Sequence, residues 1–353
     1  MATKQVSRAR LVLMAAGFVG LTIAGMIWAV TANGLKFADL GGLSAISRSW
    51  ALVIAGGVLA LYLADICRYQ VYGWLVGRRV TFLQALEASV ACDFFSWITP
   101  GAAFGAPAAV YTLARRGIPA EDATIIAFGK SMVGSAVLII LVFACLSSDL
   151  CPPLPAAISY LLLWGTGVIA VVLLVPVVAV AQRARAGALI ARGYAGLDGR
   201  SSRAAAGARV LLSTLEKVIV RLDGLALGGG IRLWAAIGIH LPFFAVFAGI
   251  LCACCLALGA PSATTAMALS LVYLGFLYVA PTPGAAGLSE ITAVTFFGSQ
   301  LGAGAAVTVV LFFRAITLYL HLLVGLIYLI GVGMEGLIAQ RVPDEPLRKD
   351  DRT

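Results

Sequence analysis

The chain has 353 residues, of which 61% are hydrophobic and only 12% charged, too little polar surface to cover a water-soluble globule of that size. A formal charge of +9 does not point to nucleic acid. That reading needs the basic residues on one face with base-reading aromatics or a known fold, whereas an uneven distribution of Lys and Arg between loops accounts for the excess.

Taken in order, Lys4, Arg8 and Arg10 precede an apolar stretch at residues 11–30, longer than the roughly 7–15 residues of a signal-peptide core, so an uncleaved first span is expected. Further apolar runs of roughly spanning length occupy residues 50–66, 82–98, 123–146, 157–181, 233–258, 266–280, 291–297 with polar flanks, and 307–332. Two of these regions are interrupted by helix breakers, "ITPGAAFGAP" at 98–107 and "PTPGAAGLSE" at 281–290. Each is followed by a basic residue inside the next apolar run, Lys130 and Arg314. Between the halves, residues 182–232 form the one sizeable polar loop. Within it Val210, Leu211, Leu215, Val218 and Leu222 share a helical face, predicting an interfacial helix. The seven cysteines lie mostly in apolar runs, and His240 and His321 are the chain's two histidines; small buried hydrophobes fit better than a zinc site.

Charge sets the orientation. With the N-terminus inside, the inner segments carry Arg68, Arg78, Arg79, Arg115, Arg116, the run from Arg183 to Arg232, and Arg341, Arg348, Lys349 and Arg352, against Lys36 and Arg48 outside. This bias places both termini in the cytoplasm. The second broken region is then entered from the opposite side to the first. The expected architecture is an all-α polytopic membrane protein with an inverted repeat of two halves, each with three spans and one broken-helix, re-entrant hairpin. The first repeat is 1–150 with its hairpin at 81–117; the second is 151–335 with its hairpin at 264–302; the tail is 336–353. Two full crossings per broken region would give the same parity.

Backbone freed by Pro and Gly at membrane depth survives only when packed in protein or facing water. A helix restarting after the break offers free N–H groups and a positive dipole end, suited to phosphate or carboxylate. Charged residues inside spans cost about 2.5–3.5 kcal/mol on insertion scales and mark an interior. The candidate binding set is therefore Arg314, Glu290, Lys130, Pro283, Gly284, Gly287, Thr282, Thr317, His321, Gly101 and Asp93, with Glu87, Asp93 and Glu290 as available acid partners. Arg314, Thr317, His321, Gly325 and Tyr328 recur at helical spacing as one polar stripe. In the competing readings Arg314 and Glu290 merely neutralise each other, Lys130 snorkels to the interface, and His321 bonds a backbone carbonyl.

The stretch "PTPGAAGLSE" followed by "LFFRAITLYLHLLVGLIYL" resembles the signature of the lysylphosphatidylglycerol-synthase transmembrane-region family, the flippase-like membrane part of the multiple peptide resistance factors. The matching positions are Pro281, Pro283, Gly284, Gly287, Glu290, Arg314 and Gly325. The segment "ALEASVACDFFSWITPGAAFGAPAAVYTLARRGIP" resembles that family's other hairpin, although it lacks a charge after its glycine until Arg115. The resemblance implies lipid translocation across the bacterial cytoplasmic membrane, with an anionic-headgroup lipid as partner. About twenty polar residues follow the last span, where bifunctional relatives continue into a synthase domain, so lipid aminoacylation is not expected. No G-x-x-x-x-G-K-[ST] motif indicates a nucleotide, and no cofactor or metal is expected. An intramembrane lipid-phosphate enzyme is the less favoured alternative, since the acids are scattered. An accessory subunit presenting lipid to a synthase, or a homo-oligomer, stays open.

Overall fold

The computed structural model describes residues 46–197, 203–228 and 230–339, together with Ile27 and Thr31. The first expected span, residues 11–30, otherwise lies outside the described residues, as does the tail beyond residue 339. Among the described residues the chain is helical throughout, with no strand. Five stretches among the described residues are long and apolar enough to cross a membrane. They are α1 (Arg48–Leu75), α4 (Ala120–Leu146), the first part of α5 (Ala156–Ala181), the stacked pair α8 (Gly230–Gly238) and α9 (His240–Ala257), and a final run from α13 (Ala303–Arg314) into α14 (Leu320–Ala339). This last run is not one α-helix, because a five-residue π turn, Ala315–Tyr319, joins its halves.

The first of these helices departs from the sequence expectation. By hydropathy the apolar run ends at Ile66, which puts Arg68 among the charges of an inner loop. Instead Ser47 caps α1 and the helix continues to Leu75 with Arg68 buried inside it. A buried arginine is tolerated because the same helix turn supplies its counter-charge, as described below.

Two helical hairpins with broken tips complete the bundle. In the first, α2 (Phe82–Ile98) starts with a capping box between Thr81 and Gln84, turns through a 3-10 turn at Pro100–Ala102, and returns as α3 (Gly105–Arg115). Its base is pinned where the Arg116 guanidinium grips both oxygens of Glu87 and Gln84 Nε2 donates to the Arg116 carbonyl at 3.0 Å. Glu87 is thus tied to Arg116, not to an intramembrane cation. In the second, α10 (Ala263–Val279) leads to a 3-10 turn at Pro283–Ala285, a single short turn α11 (Leu288–Ile291), and α12 (Ala293–Leu301).

The repeated letters TPGAA adopt a repeated backbone. Gly101 has φ 59° and ψ 25°, and Gly284 has φ 55° and ψ 24°. The following Ala102 and Ala285 both stand at φ 54°, a left-handed conformation uncommon outside glycine. The two turns touch each other.

Close packing in the first hairpin depends on Gly105. A Cβ there would lie 2.9 Å from the Cys92 carbonyl oxygen and would also strike Ser96 Oγ. The serine can rotate, but the carbonyl of a helix cannot. Gly105→Ala is accordingly expected to destabilise the protein by about 1–3 kcal/mol, read as a lowered unfolding midpoint of purified protein; an unchanged midpoint would show that α3 can lift away from α2 freely.

Aromatic packing holds the centre: Phe243 and Phe247 of α9, Tyr273 and Phe276 of α10, Phe296 and Phe297 of α12 and Phe313 of α13 share one core. A second core joins α1, α2, α3 and α4 through Tyr69, Tyr72, Ala88, Leu113 and Ile126. At that end Asp122, buried, accepts Arg78 Nε at 2.6 Å and Arg221 at 3.2 Å. Arg221 belongs to α7 (Arg203–Gly228), which follows α6 (Arg183–Ala195). The expected loop helix is present, but longer and rolled. Val218 and Leu222 pack against the second core, whereas Leu215, expected on that face, is 42% exposed.

Candidate functional site

The centre of the site is an ion cluster that the sequence reading did not assemble. Asp65 sits on α1 at the end of "ALYLAD", three residues before Arg68, so both point to one side of the helix. Lys130 on α4 reaches across and donates to both carboxylate oxygens of Asp65, at 2.9 and 3.1 Å. Arg68 Nη1 meets Oδ1 at 3.0 Å, and Ser89 of α2 donates to Oδ2 at 2.5 Å. All four residues are buried. Lys130 therefore faces the interior and does not snorkel, and its partner is Asp65, not one of the acids anticipated. What remained hidden was that Arg68 is a membrane residue; the i, i+3 spacing of Asp65 and Arg68 was the available signal.

Aromatic faces complete the setting for the two cations. The Arg68 guanidinium carbon lies 3.8 Å from the centroid of Phe243, and Lys130 Nζ 4.1 Å from that of Tyr69, an arrangement that offsets part of the cost of burying charge. Gly134 leaves the room required: a Cβ there would come within 3.0 Å of Arg68 Nη2 and of His240. Formally the cluster carries one net positive charge. The Arg68 Nε hydrogen has no hydrogen-bond partner among the described residues.

Arg68, Lys130 and Asp65 line a cavity of about 500 Å³. Its wall also contains Asp93 of α2, His321 and Thr317 of the last run, Gly101 of the first hairpin tip, and Thr282 and Gly284 of the second. Asp93 and His321 approach to 3.7 Å, and His321 stacks on Tyr62 with ring centroids 4.6 Å apart. Away from these polar groups the wall becomes apolar along α5, through Trp164, Val168, Ile169 and Leu173. Trp164 and Val168 are exposed on the bundle surface, so the cavity runs from a charged centre to a flank bordered by outward-facing apolar side chains.

Four of the expected binding residues are used elsewhere. Arg314 is buried with its Nε 2.7 Å from Glu290 Oε1 and its Nη1 donating to the Gly284 carbonyl at 2.9 Å. Glu290 Oε2 in turn accepts the Gly287 N–H at 2.9 Å and the Ser289 hydroxyl at 2.6 Å. The chain's own carboxylate thus occupies the N-terminus that was expected to receive a phosphate, and Arg314 braces the turn behind it. Neither Arg314, Glu290 and Gly287 nor Pro283, which opens the 3-10 turn, lines the cavity. The polar stripe on the last run is inward-facing but divided: Arg314 serves the hairpin, Thr317 and His321 face the cavity, and Gly325 packs against Phe94 so closely that a Cβ would stand 2.6 Å from that side chain.

Spanning helices with buried charges around an internal cavity make this a membrane protein. Comparison with curated protein sequences returns no match. Residues 12–325, nearly the whole described bundle and the predicted first span besides, match the family model of the lysylphosphatidylglycerol synthase TM region, and the chain belongs to that family.

Proposed function

We propose that the protein moves a phospholipid with a phosphate-bearing headgroup between the leaflets of a bacterial cytoplasmic membrane, as a carrier and not as an enzyme. The observation that carries this reading is that one cavity combines a cationic end at Arg68 and Lys130 with an apolar flank along α5. A headgroup requires the first and acyl chains the second, whereas a water-soluble anion has no use for the flank. Membership in a family named for the membrane region of a lipid synthase supports the same direction.

Two further parts of the proposal concern architecture. The hairpins are re-entrant: α3 has 11 residues, about 16 Å of helix, against roughly 30 Å of hydrocarbon. The halves form an inverted repeat, supported by the matched backbone of the two TPGAA turns, the charge asymmetry of the loops and the meeting of the tips, where such repeats place their substrate.

The test is reconstitution of the purified chain, without any partner, in liposomes carrying acyl-labelled fluorescent phospholipid. Wild type should equilibrate the label across the bilayer. Arg68→Gln should slow it at least tenfold while the protein stays folded, because Asp65 keeps Lys130 and Ser89 as partners. Label movement at the protein-free rate with folded wild type would remove the proposal.

A further inference from the structure

We infer that the cavity selects a headgroup carrying one phosphate and one primary amine over a purely anionic one. The inference rests on the translocation reading above and narrows its substrate. It begins with two carboxylates in one cavity that are treated differently. Asp65 is saturated, holding Lys130, Arg68 and Ser89. Asp93 is not: its side chain is 30% exposed, lines the cavity, and among the described residues has only His321, at 3.7 Å, within ion-pair distance.

The charges make a dipole. Arg68 and Lys130 outweigh Asp65 by one positive charge, and an ionised Asp93 would offset it when His321 is counted as neutral, a form that a nearby ammonium favours. A phosphate placed at the Arg68 and Lys130 end of the cavity therefore has an acceptor nearby that no part of a glycerol headgroup can neutralise. Ser89, which holds Asp65, and Asp93 are four residues apart on α2, one turn or about 6 Å. An ethanolamine headgroup extends its ammonium two carbons beyond the phosphate ester and can reach that turn. Its N–H donors would give Asp93 charge-assisted hydrogen bonds. A headgroup ending in hydroxyls leaves a half-buried carboxylate facing a second negative charge, which is unfavourable. Sites that hydrogen-bond a substrate group discriminate strongly against analogues without it; the partial exposure of Asp93 moderates this to roughly tenfold.

The experiment uses the full chain in liposomes with two acyl-labelled reporters that differ only in headgroup, phosphatidylethanolamine and phosphatidylglycerol. Wild type should move the ethanolamine reporter about ten times faster. Asp93→Asn, checked for a monodisperse, folded protein, should bring the two rates within about twofold by slowing the ethanolamine reporter, and Asp93→Glu, which keeps the charge, should retain the preference. Equal wild-type rates, or an Asp93→Asn variant that slows both reporters alike, would overturn the selectivity and leave translocation standing. Movement of neither reporter by folded wild type would instead sink translocation itself.

Discussion

Replacing Arg314 with Met is expected to cost about 3–5 kcal/mol of folding stability, seen as a large drop in folded yield and in the thermal midpoint of detergent-purified protein. The guanidinium is 2% exposed and Glu290 is fully buried, so removal of either partner strands the other's charge in a medium that cannot solvate it. Arg314 also donates to the Gly284 carbonyl, a backbone group freed by the left-handed turn, and that acceptor would lose its partner as well. Glu290→Gln should be milder, because the amide oxygen still accepts from the Gly287 N–H. The double variant Glu290→Gln/Arg314→Met should recover much of the loss, since no uncompensated charge remains; the coupling between the two sites is then at least 1–2 kcal/mol. Arg314→Lys should not substitute well, as one ammonium cannot serve both a carboxylate and a carbonyl held in different directions. A variant Arg314→Met that keeps its midpoint and loses only transport would place the arginine on the substrate after all.

Asp65→Leu should be of similar size, about 3–5 kcal/mol, for the opposite reason: it removes one anion and leaves two buried cations together. Asp65 is the common acceptor of Lys130, Arg68 and Ser89, so its loss touches three helices, α1, α2 and α4. The surrounding changes give an order. Ser89→Ala, which deletes one hydrogen bond to a charged group, should cost about 1.5–3 kcal/mol or less. Lys130→Met should cost more than Ser89→Ala and less than Asp65→Leu, because Arg68 still neutralises the carboxylate. Unfolding midpoints of the three variants in one detergent decide the matter, and a Lys130→Met variant less stable than Asp65→Leu would show that the lysine, and not the carboxylate, organises the cluster.

Much of this architecture is legible in the sequence where a local rule suffices. Pro and Gly inside apolar runs announce the two hairpins, since few other arrangements tolerate "TPGAA" at that depth. Glu290 and Arg314 can be paired on paper, although their separation of two dozen residues does not say whether the pair holds a ligand or a turn. The structure answers that through a third participant, the Gly287 N–H, whose direction depends on the backbone of the turn. Asp65 and Arg68 are the opposite case. Hydropathy ends the run at 50–66 because it scores each charge alone, while α1 continues to Leu75 because the two charges and Lys130 act together. Long-range partners of that kind, 65 residues apart for Lys130 and Asp65, leave no trace in periodicity. Glu87 was misleading for the same reason: its partner Arg116 stands 29 residues away at the hairpin base.

The π turn at Ala315–Tyr319 acts as a phase shifter. An α-helix advances about 100° per residue, and one turn with an added residue offsets everything after it by that angle relative to everything before. Deleting one residue from this turn would restore ordinary winding and rotate the distal half as a block, carrying His321 away from Tyr62 and Asp93 and Gly325 away from Phe94, while Arg314 kept its grip on Glu290. The two halves of the last crossing can therefore be retuned independently: the proximal half is clocked to the second hairpin, the distal half to the first, and a single unit of chain length sets the angle between them.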